Sequence, residues 1–219
     1  MDEGLRLLYD DDHLGVLLKR AGISTHGRGS NTLSNALHVL AEGEPWMLVH
    51  RLDFGTQGPV LFAKHKAAHR KLQSQWPQFT KTYHAWVAGR LETGRGSVCF
   101  VLDGKAARTD FRCLGHRPWG VHEEASLVEW RLETGRTHQI RRHAAAMGHP
   151  VVGDLVYGPS PTYTGHGLHL TCTRLEWDHP LTGARMHVEV EPSKKMRRVL
   201  PRSFHALTPS PYLHFFEPR

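Results

Sequence analysis

A nine-residue stretch, His50 to Gly58 (HRLDFGTQG), contains residue types that could form a catalytic turn. Asp53 lies close behind Arg51, in a bend that two glycines mark. A nearby cation favours the ionised form of a carboxylate, so we expect Asp53 to carry a charge. Taken alone, the stretch is more typical of an ordinary turn aspartate in a surface ion pair. The rest of the chain must decide between the two interpretations.

Two short apolar segments are predicted to hold this bend in place. Residues 46–49 (WMLV) and 59–63 (PVLFA) are typical of buried strands. Asp53 would then lie on a connection between two strands. In such a place a side chain can reach an open cleft while its backbone stays fixed.

A second dense stretch, residues 134–150, places several cations around the start of a predicted helix. Arg136, His138 and Arg141 fall in the loop and the first turn. Thr137 is the predicted N-cap. Cations at this end oppose the helix dipole, so we expect a compensating anion, and a buried carboxylate or an RNA phosphate would both serve. The residues that define the buried face and the end of this helix are Ile140, Ala144, Met147, Gly148 and Pro150.

Hydrophobic patterning predicts further elements on either side of these stretches. A helix beginning near Leu33 is predicted to be capped by Asn31 or Ser30. Ser193 is predicted to cap a basic terminal helix over residues 194–200. Strands are predicted at residues 5–9, 14–19, 81–89, 97–100, 109–113, 125–133, 168–175 and 185–190, with a tight turn at 103–105 and a loop at 115–120.

A basic amphipathic helix is predicted from Lys64 to Trp76, where Pro77 stops it. Its positively charged residues form either a solvated face or a face that contacts phosphates. The sequence leaves both interpretations open.

The composition is that of an ordinary globular protein, with 219 residues, 39% hydrophobic and 22% charged. This length allows one sizeable core or two tightly joined lobes. Neither a membrane span nor a signal-peptide core is recognisable. The three cysteines, Cys99, Cys113 and Cys172, form no Cys-x-x-Cys pair. Together these features predict a cytoplasmic protein with reduced thiols.

The charge balance favours a polyanionic partner. The net charge is +7 and the isoelectric point is near 9.6, and nucleic acid is the leading candidate. The 18 histidines invite a metal-site hypothesis, but no His-Glu-x-x-His motif and no zinc-type spacing is present. His65 and His69 are four residues apart and lack an evident third ligand. We therefore expect no metal.

Four blocks, in order along the chain, resemble the signatures of the RluA-type pseudouridine synthases. The resemblance extends from the first strand to about Val190. The blocks are HRLD at 50–53 with Thr56 and Gly58, KTYHA at 81–85, GRTHQIR at 135–141 continued by GHPVVGD at 148–154, and LH at 168–169 with HPLTG at 179–183. The DGKAART turn at 103–109 is also similar. The departures are Gln57, Pro59 and Leu170-Thr171, and they affect the expected specificity more than the expected activity.

The resemblance implies an α+β fold, with a long, curved, mostly antiparallel mixed sheet, flanking helices and a central active-site cleft. It also implies isomerisation of one uridine in RNA to pseudouridine, without a cofactor or a metal. Asp53, Tyr83 and Arg141 would form the catalytic set. Asp53 would act as a nucleophile or as a base, and Arg141 would be its ionic partner.

The role of Tyr83 and the role of the residues expected to contact RNA each have an alternative interpretation. Tyr83 would stack on the uracil or help to remove a proton from its carbon five, although its spacing alone favours a core position. The residues expected to contact RNA, or to support the loop instead, are His50, Arg51, Thr56, Arg136, His138 and Gln139.

Two rival functions belong to other classes. One is a catalytically silent RNA-binding protein of the same fold, against which the intact Asp53, Tyr83 and Arg141 set argues. The other is a retaining glycosidase, which needs a second carboxylic acid that does not recur near these motifs. Ribosomal RNA and transfer RNA both stay open as substrates, and a monomer is expected. Residues 1–200 are predicted to form the catalytic domain and residues 201–219 a proline-rich C-terminal tail, with no room for the small N-terminal RNA-binding module of many relatives.

Overall fold

The computed structural model of the chain describes residues 6–27, 31–119, 124–158 and 167–199. These residues divide into two units. The first unit takes the chain up to Thr80 together with Cys172–Val190. The second takes Lys81–Thr171 together with the described residues 191–199. The predicted tail at 201–219 lies outside the described residues.

Strands and helices alternate irregularly along the chain, and every strand pairing detailed below is antiparallel. The strands are β1 (Arg6–Asp10), β2 (Leu14–Lys19), β3 (Met47–Leu48), β4 (Gly58–Ala63), β5 (Thr80–Ala88), β6 (Arg95–Leu102), β7 (Lys105–Pro118), β8 (Glu124–Leu132), β9 (Leu170–Asp178) and β10 (Arg185–Glu189). The helices are α1 (Leu33–Leu40), α2 (Lys66–Gln75), α3 (Gln139–Ala146) and α4 (Lys194–Arg197), with a 3-10 turn at Trp76–Gln78. The α+β class predicted from the sequence is confirmed.

The first unit is built on a sheet in the order β1-β2-β4-β3, and β9 pairs with β10 beside it in the same unit. Strand β4 is buried along its whole length and lies between β2 and β3, which pair with it on either side. Helix α2 turns Ala68 and Leu72 toward the core of this unit, where they join Val16, Leu61 and Trp177. A helix with two apolar positions four residues apart buries one face and leaves the other in solvent.

The second unit contains a sheet in the order β5-β8-β7-β6. Ile140 and Ala144 of α3 are buried in the same cluster as Val87, Val128 and Trp130 of β5 and β8. Met147 packs against this cluster, so the predicted buried face of α3 is confirmed. Gly148 follows the helix with a φ of +79°, as expected for a residue that ends a helix.

Strand β7 is longer than the sequence predicted. The segment 115–120 was expected to be a loop, but β7 continues to Pro118. A register shift between Cys113 and Gly115 keeps the strand paired with β8. A β-bulge of this kind accommodates an extra residue without ending the pairing, so a glycine in the pattern does not end the strand.

Three predicted helix ends are wrong. Thr32 caps α1 by accepting a hydrogen bond from the Asn35 N–H (3.1 Å), whereas Asn31 does not, and Ser30 lies outside the described residues. Thr137 does not cap α3, which begins one residue later, with His138 in the N-cap position at a φ of +53°. Helix α4 ends at Arg197 rather than at Leu200, and Ser193 precedes it without a capping side-chain bond.

No helix within the described residues is both long enough and apolar enough to cross a membrane.

Candidate active-site segments

The bend that contains Asp53 connects β3 to β4 in the first unit. Val49 donates its N–H to the carbonyl of Leu61 (2.9 Å), and the Leu61 N–H donates to Nε2 of His50 (3.1 Å). The His50 ring also stacks on Trp76, with 4.8 Å between centroids. His50 therefore supports the entry to the bend, which was one of its two expected roles.

The far end of the bend requires a glycine. Gly58 has a φ of +157°, and a Cβ added there would lie 2.5 Å from Cβ of Cys172 and 2.7 Å from its carbonyl oxygen. The Cys172 N–H donates to the carbonyl of Gln57 (2.8 Å). Any larger residue at position 58 would push β4 away from β9, so this glycine fixes where the bend ends.

The residues on either side of Asp53 are held by buried groups. The Thr25 hydroxyl donates to the carbonyl of Leu52 (2.7 Å) and accepts from the Leu52 N–H (3.1 Å). On the other side, the carbonyl of Phe54 accepts from the Gly22 N–H (2.8 Å). The Asp53 side chain is itself half-buried. The backbone around Asp53 is thus fixed, while the residue itself stays partly exposed.

Lys19 is a member of this site that the sequence analysis missed. It is fully buried at the end of β2, and its ammonium donates to the carbonyls of Ile23 (2.7 Å), Arg20 (3.0 Å) and, at longer range, Phe54 (3.4 Å). Burial lowers the pKa of Lys19 to about 8, and the negative charge of Asp53 acts in the opposite direction. One sequence feature could have identified Lys19: it is a lysine at the end of an apolar strand, just before a glycine-containing loop.

Replacing Lys19 with methionine is expected to remove a pH dependence of stability. The pKa is lower in the folded protein than its ordinary 10.5, so unfolding takes up a proton between about pH 8 and 10.5. The free energy of unfolding of the wild type should therefore rise with pH across this window relative to that of Lys19→Met. Urea unfolding of both proteins at pH 7.5, 8.5 and 9.5 measures the difference. A difference that stays constant with pH would contradict the assignment.

Two other predicted RNA-contacting residues of the bend differ sharply in exposure. Arg51 is exposed and makes no side-chain hydrogen bond or ion pair with the described residues. It lies close enough to His26 to reinforce the lowering of that residue's pKa, which burial causes in the first place. Thr56 is buried, and its hydroxyl finds no hydrogen-bond partner within the described part of the chain.

Arg141 forms a two-point ion pair in the second unit. Its Nε and one terminal nitrogen donate to the two carboxylate oxygens of Asp154, at 2.7 and 2.8 Å. Burial by itself raises the pKa of Asp154, but hydrogen bonds from Arg141 and from the Val156 and Tyr157 amides lower it below its ordinary value. The anion expected near the start of α3 is therefore present as a buried carboxylate, on a residue to which the sequence analysis gave no role.

His138 belongs to the same group of side chains. Its Nδ1 lies 3.1 Å from the Tyr157 hydroxyl, and the Tyr157 ring lies 5.1 Å from the Arg141 guanidinium carbon. The planar cation is thus held by an aromatic ring as well as by a carboxylate. A guanidinium held in this way has a fixed orientation. An electrostatic contribution to catalysis requires a charge that is fixed before the reaction.

Gln139 and Arg136 close the loop in front of α3. The Gln139 side chain is buried and uses all four of its hydrogen-bonding positions. It accepts from Thr134 Oγ1 and the Arg136 N–H, and it donates to the carbonyl of Arg108 and to Thr109 Oγ1. Arg136 also donates from Nε to the carbonyl of Ala106 (3.2 Å). Gln139 therefore fits the expected role of supporting the loop better than that of contacting RNA, because its side chain has no hydrogen-bonding position left.

Tyr83 lies on β5, opposite Trp130 of β8, and is half-buried. It packs against the hydrophobic cluster of the second unit. The first unit therefore contains Asp53, and the second contains Tyr83 and Arg141.

Antiparallel strands in this order, with Asp53 in a β3–β4 bend whose backbone is held on both sides, define an α+β protein with a candidate catalytic carboxylate. A model of the RNA pseudouridylate synthase family matches residues 13–146, more than half of the chain. The chain belongs to the RNA pseudouridylate synthase family. The resemblance found in the sequence is confirmed.

Individual proteins agree with this assignment. The chain is 37% identical over 202 residues to an uncharacterised RNA pseudouridine synthase of Bacillus subtilis, covering 81% of this chain and 65% of that relative. It is 34% identical over 209 residues to a ribosomal large subunit pseudouridine synthase D of Nitrosomonas europaea, covering 82% of this chain and 59% of that relative. The chain thus spans about two thirds of the length of one relative and less of the other.

A solved structure shows the same fold. The human protein named RNA pseudouridylate synthase domain containing 1 superposes with a TM-score of 0.76 at 24% identity, covering 98% of this chain and 100% of that chain. The predicted pseudouridine synthase fold is confirmed.

Proposed function

We propose that this protein isomerises a uridine of RNA to pseudouridine, with Asp53 as the catalytic carboxylate and without a metal or cofactor. Family membership supports the reaction. One observation carries the choice of Asp53: both of its neighbours, Leu52 and Phe54, are held by buried groups, while its own side chain is half-exposed. A reacting carboxylate needs such a fixed backbone, because its position relative to the sugar decides the rate.

The reaction rearranges bonds without gaining or losing atoms. The bond between the sugar carbon C1′ and N1 of uracil breaks, the base turns, and C1′ bonds to carbon five. Carbon five then loses its hydrogen and N1 gains one. Asp53 either attacks C1′ as a nucleophile or removes the hydrogen on C2′ as a base. With RNA deuterated at C2′, a primary isotope effect would identify the base route, and its absence the nucleophile route.

Tyr83 and Arg141 complete the proposed catalytic set, on the basis of the family resemblance. Arg141 would supply a fixed positive charge where negative charge develops, and its two-point bond to Asp154 supports that role. Tyr83 would contact the uracil. Asp154 then acts as a positioning residue, since it touches Arg141 rather than the substrate.

Ribosomal RNA is the substrate class that we propose, because one relative bears the name of a large-subunit ribosomal RNA enzyme. The target nucleotide must leave its stack to reach a carboxylate, which costs a few kcal/mol in enzymes of this type. Unstacked loops lower that cost. The net charge of +7 suits a polyanionic partner of this kind.

The test uses RNA that carries tritium at carbon five of uridine. This hydrogen is released when carbon five bonds to C1′, so release counts each isomerisation. Fragments of large-subunit ribosomal RNA are expected to release tritium with the wild-type protein, and transfer RNA serves as the comparison. Equal RNA binding by the wild type and Asp53→Ala, with no release from either, would instead favour a catalytically silent RNA-binding protein.

Phe54 gives a further prediction about RNA binding. Phe54 is 63% exposed although its carbonyl accepts hydrogen bonds from Gly22 and Lys19, so an exposed aromatic residue is fixed in the chain beside Asp53. We expect the ring to stack on a base, which contributes about 1–3 kcal/mol per base in single-stranded sites. Phe54→Leu should weaken RNA binding by about that amount, and Phe54→Tyr should not. Filter binding measures both, and equal affinities would exclude stacking.

A further inference from the structure

Helix α2 is attached to the segment that leads into the Asp53 bend. His69 Nε2 lies 3.3 Å from the carbonyl of Leu48, and Gln73 Nε2 donates to the carbonyl of Val49. The third contact is the stacking of Trp76 on His50. Three side chains on one face of α2 and its following turn thus hold three consecutive residues, 48–50. The helix and the entry to the bend therefore form one structural element of the first unit.

The exposed surface of α2 is basic. Lys66, Arg70 and Lys71 are exposed, and none of them forms an ion pair or a side-chain hydrogen bond with the described residues. The helix sequence, KAAHRKLQSQ, contains no acidic residue. Arg51, near Asp53, is likewise exposed without an ion pair in the described part of the chain. Five surface arginines on other elements do pair with carboxylates: Arg90, Arg108, Arg112, Arg174 and Arg185.

These charges oppose the stability of the helix. Lys66 occupies the first turn, where the helix dipole disfavours a cation, and no acidic residue balances it there. Lys66 and Arg70 are four residues apart, and like charges at that spacing repel. The helix forms because His65 caps it by accepting the Ala68 N–H, and because Ala68 and Leu72 are buried. The basic residues thus form no ion pair or side-chain hydrogen bond with the described residues that would explain their position.

We propose that the exposed face of α2, formed by Lys66, Arg70 and Lys71, binds the phosphate backbone of the RNA substrate beside the target uridine. This inference rests on the proposed function. Since the inner face of α2 is bonded to residues 48–50, phosphates held on the outer face take a fixed position relative to the Asp53 bend. Phosphate contacts set register and orientation without reading sequence, which is the role that this surface fits.

The decisive measurement is the salt dependence of RNA binding by a variant with Lys66, Arg70 and Lys71 all replaced by glutamine. Each phosphate contact contributes about 0.7–0.9 to the slope of log affinity against log salt. The triple variant should therefore show a slope smaller by about 2, with affinity near 0.1 M salt lower by roughly ten- to a hundredfold. Binding is measured in the Asp53→Asn background, so that turnover does not change the RNA.

A matched control removes the same charge from arginines that already have carboxylate partners. Arg90, Arg112 and Arg185 are each replaced by glutamine, which alters the net charge equally. For this control variant, the slope of log affinity against log salt should stay within about 0.5 of the wild-type slope, because we expect paired arginines on other surfaces to contact no phosphate. If the slope decreased equally in the two triple variants, only the net charge would matter for RNA binding, and the proposal would be wrong.

Stability and turnover separate this proposal from its alternatives. Removing the repulsion between like charges on α2 should leave the melting temperature unchanged or raise it. Tritium release by the triple variant at saturating RNA should stay within about threefold of the wild type.

The outcomes that contradict the two proposals differ. A salt-dependence slope equal to that of the wild type, with normal tritium release, would overturn the role of α2 alone. A reduced slope, with no release from any RNA by the wild type, would overturn the isomerase proposal but not the binding surface. If the triple variant does not fold, Arg70→Gln and Lys71→Gln are measured singly, each with an expected slope change of about 0.8.

Discussion

Replacing Asp53 with asparagine is expected to lower the rate of tritium release by at least about a thousandfold. Asparagine has nearly the same shape, but it carries no charge and neither attacks C1′ nor accepts a proton from C2′. RNA affinity should change little, because the backbone bonds of Leu52 and Phe54 that hold the bend are present in both proteins. Single-turnover assays with excess enzyme, together with filter binding, measure the two effects separately.

Asp12 provides the control for this substitution. It is an exposed aspartate of the same unit, and Asp12→Asn changes the net charge by the same amount. We expect wild-type release from that variant. Release from Asp53→Asn within tenfold of the wild type would remove Asp53 from the catalytic set. A fall in RNA affinity that matches the fall in rate would instead make Asp53 a binding residue.

Much of the first unit could be predicted from local sequence. Strand β2 has the predicted bounds, and β4 differs by one residue, because continuous apolar runs bounded by polar turns specify buried strands without help from distant residues. The bend between β3 and β4 was also placed correctly, since it follows from those strands. What the local pattern does not contain is the identity of the groups that hold the bend.

Those groups come from distant parts of the chain. Lys19 meets Phe54 across 35 positions and Thr25 meets Leu52 across 27, so neither link leaves a periodic signal. Helix ends failed for a related reason: several polar side chains compete for the same amides, and packing decides among them. Gln139 illustrates this, because its side chain binds the Arg136 N–H, and the N-cap position of α3 falls to His138 rather than to the predicted Thr137.

Removing the carboxylate of Asp154 is expected to be the most destabilising substitution among these residues. Asp154→Ala would remove the two-point ion pair with the Arg141 guanidinium, whose side chain is 10% exposed. Breaking a buried pair from one side costs about 3–5 kcal/mol, because the remaining charge is still desolvated. Two amides, of Val156 and Tyr157, would lose their acceptor as well. Urea unfolding, followed by tryptophan fluorescence, measures the loss in free energy of unfolding.

A double substitution tests whether the buried charge is the cause. Arg141→Met with Asp154→Leu removes both partners and should be more stable than Asp154→Ala, since neither charge of the pair stays buried. The pH dependence offers a second test with Asp154→Asn. The pKa of Asp154 is lowered on folding, so the contribution of its ionised form is complete above the ordinary value of 3.8 and is lost as the pH falls through the folded value. The stability gap between the wild type and Asp154→Asn should therefore narrow below pH 3.8. A gap that is equal at pH 3 and pH 6, or a double variant no more stable than Asp154→Ala, would mean that the Arg141–Asp154 pair does not stabilise the fold through its charge.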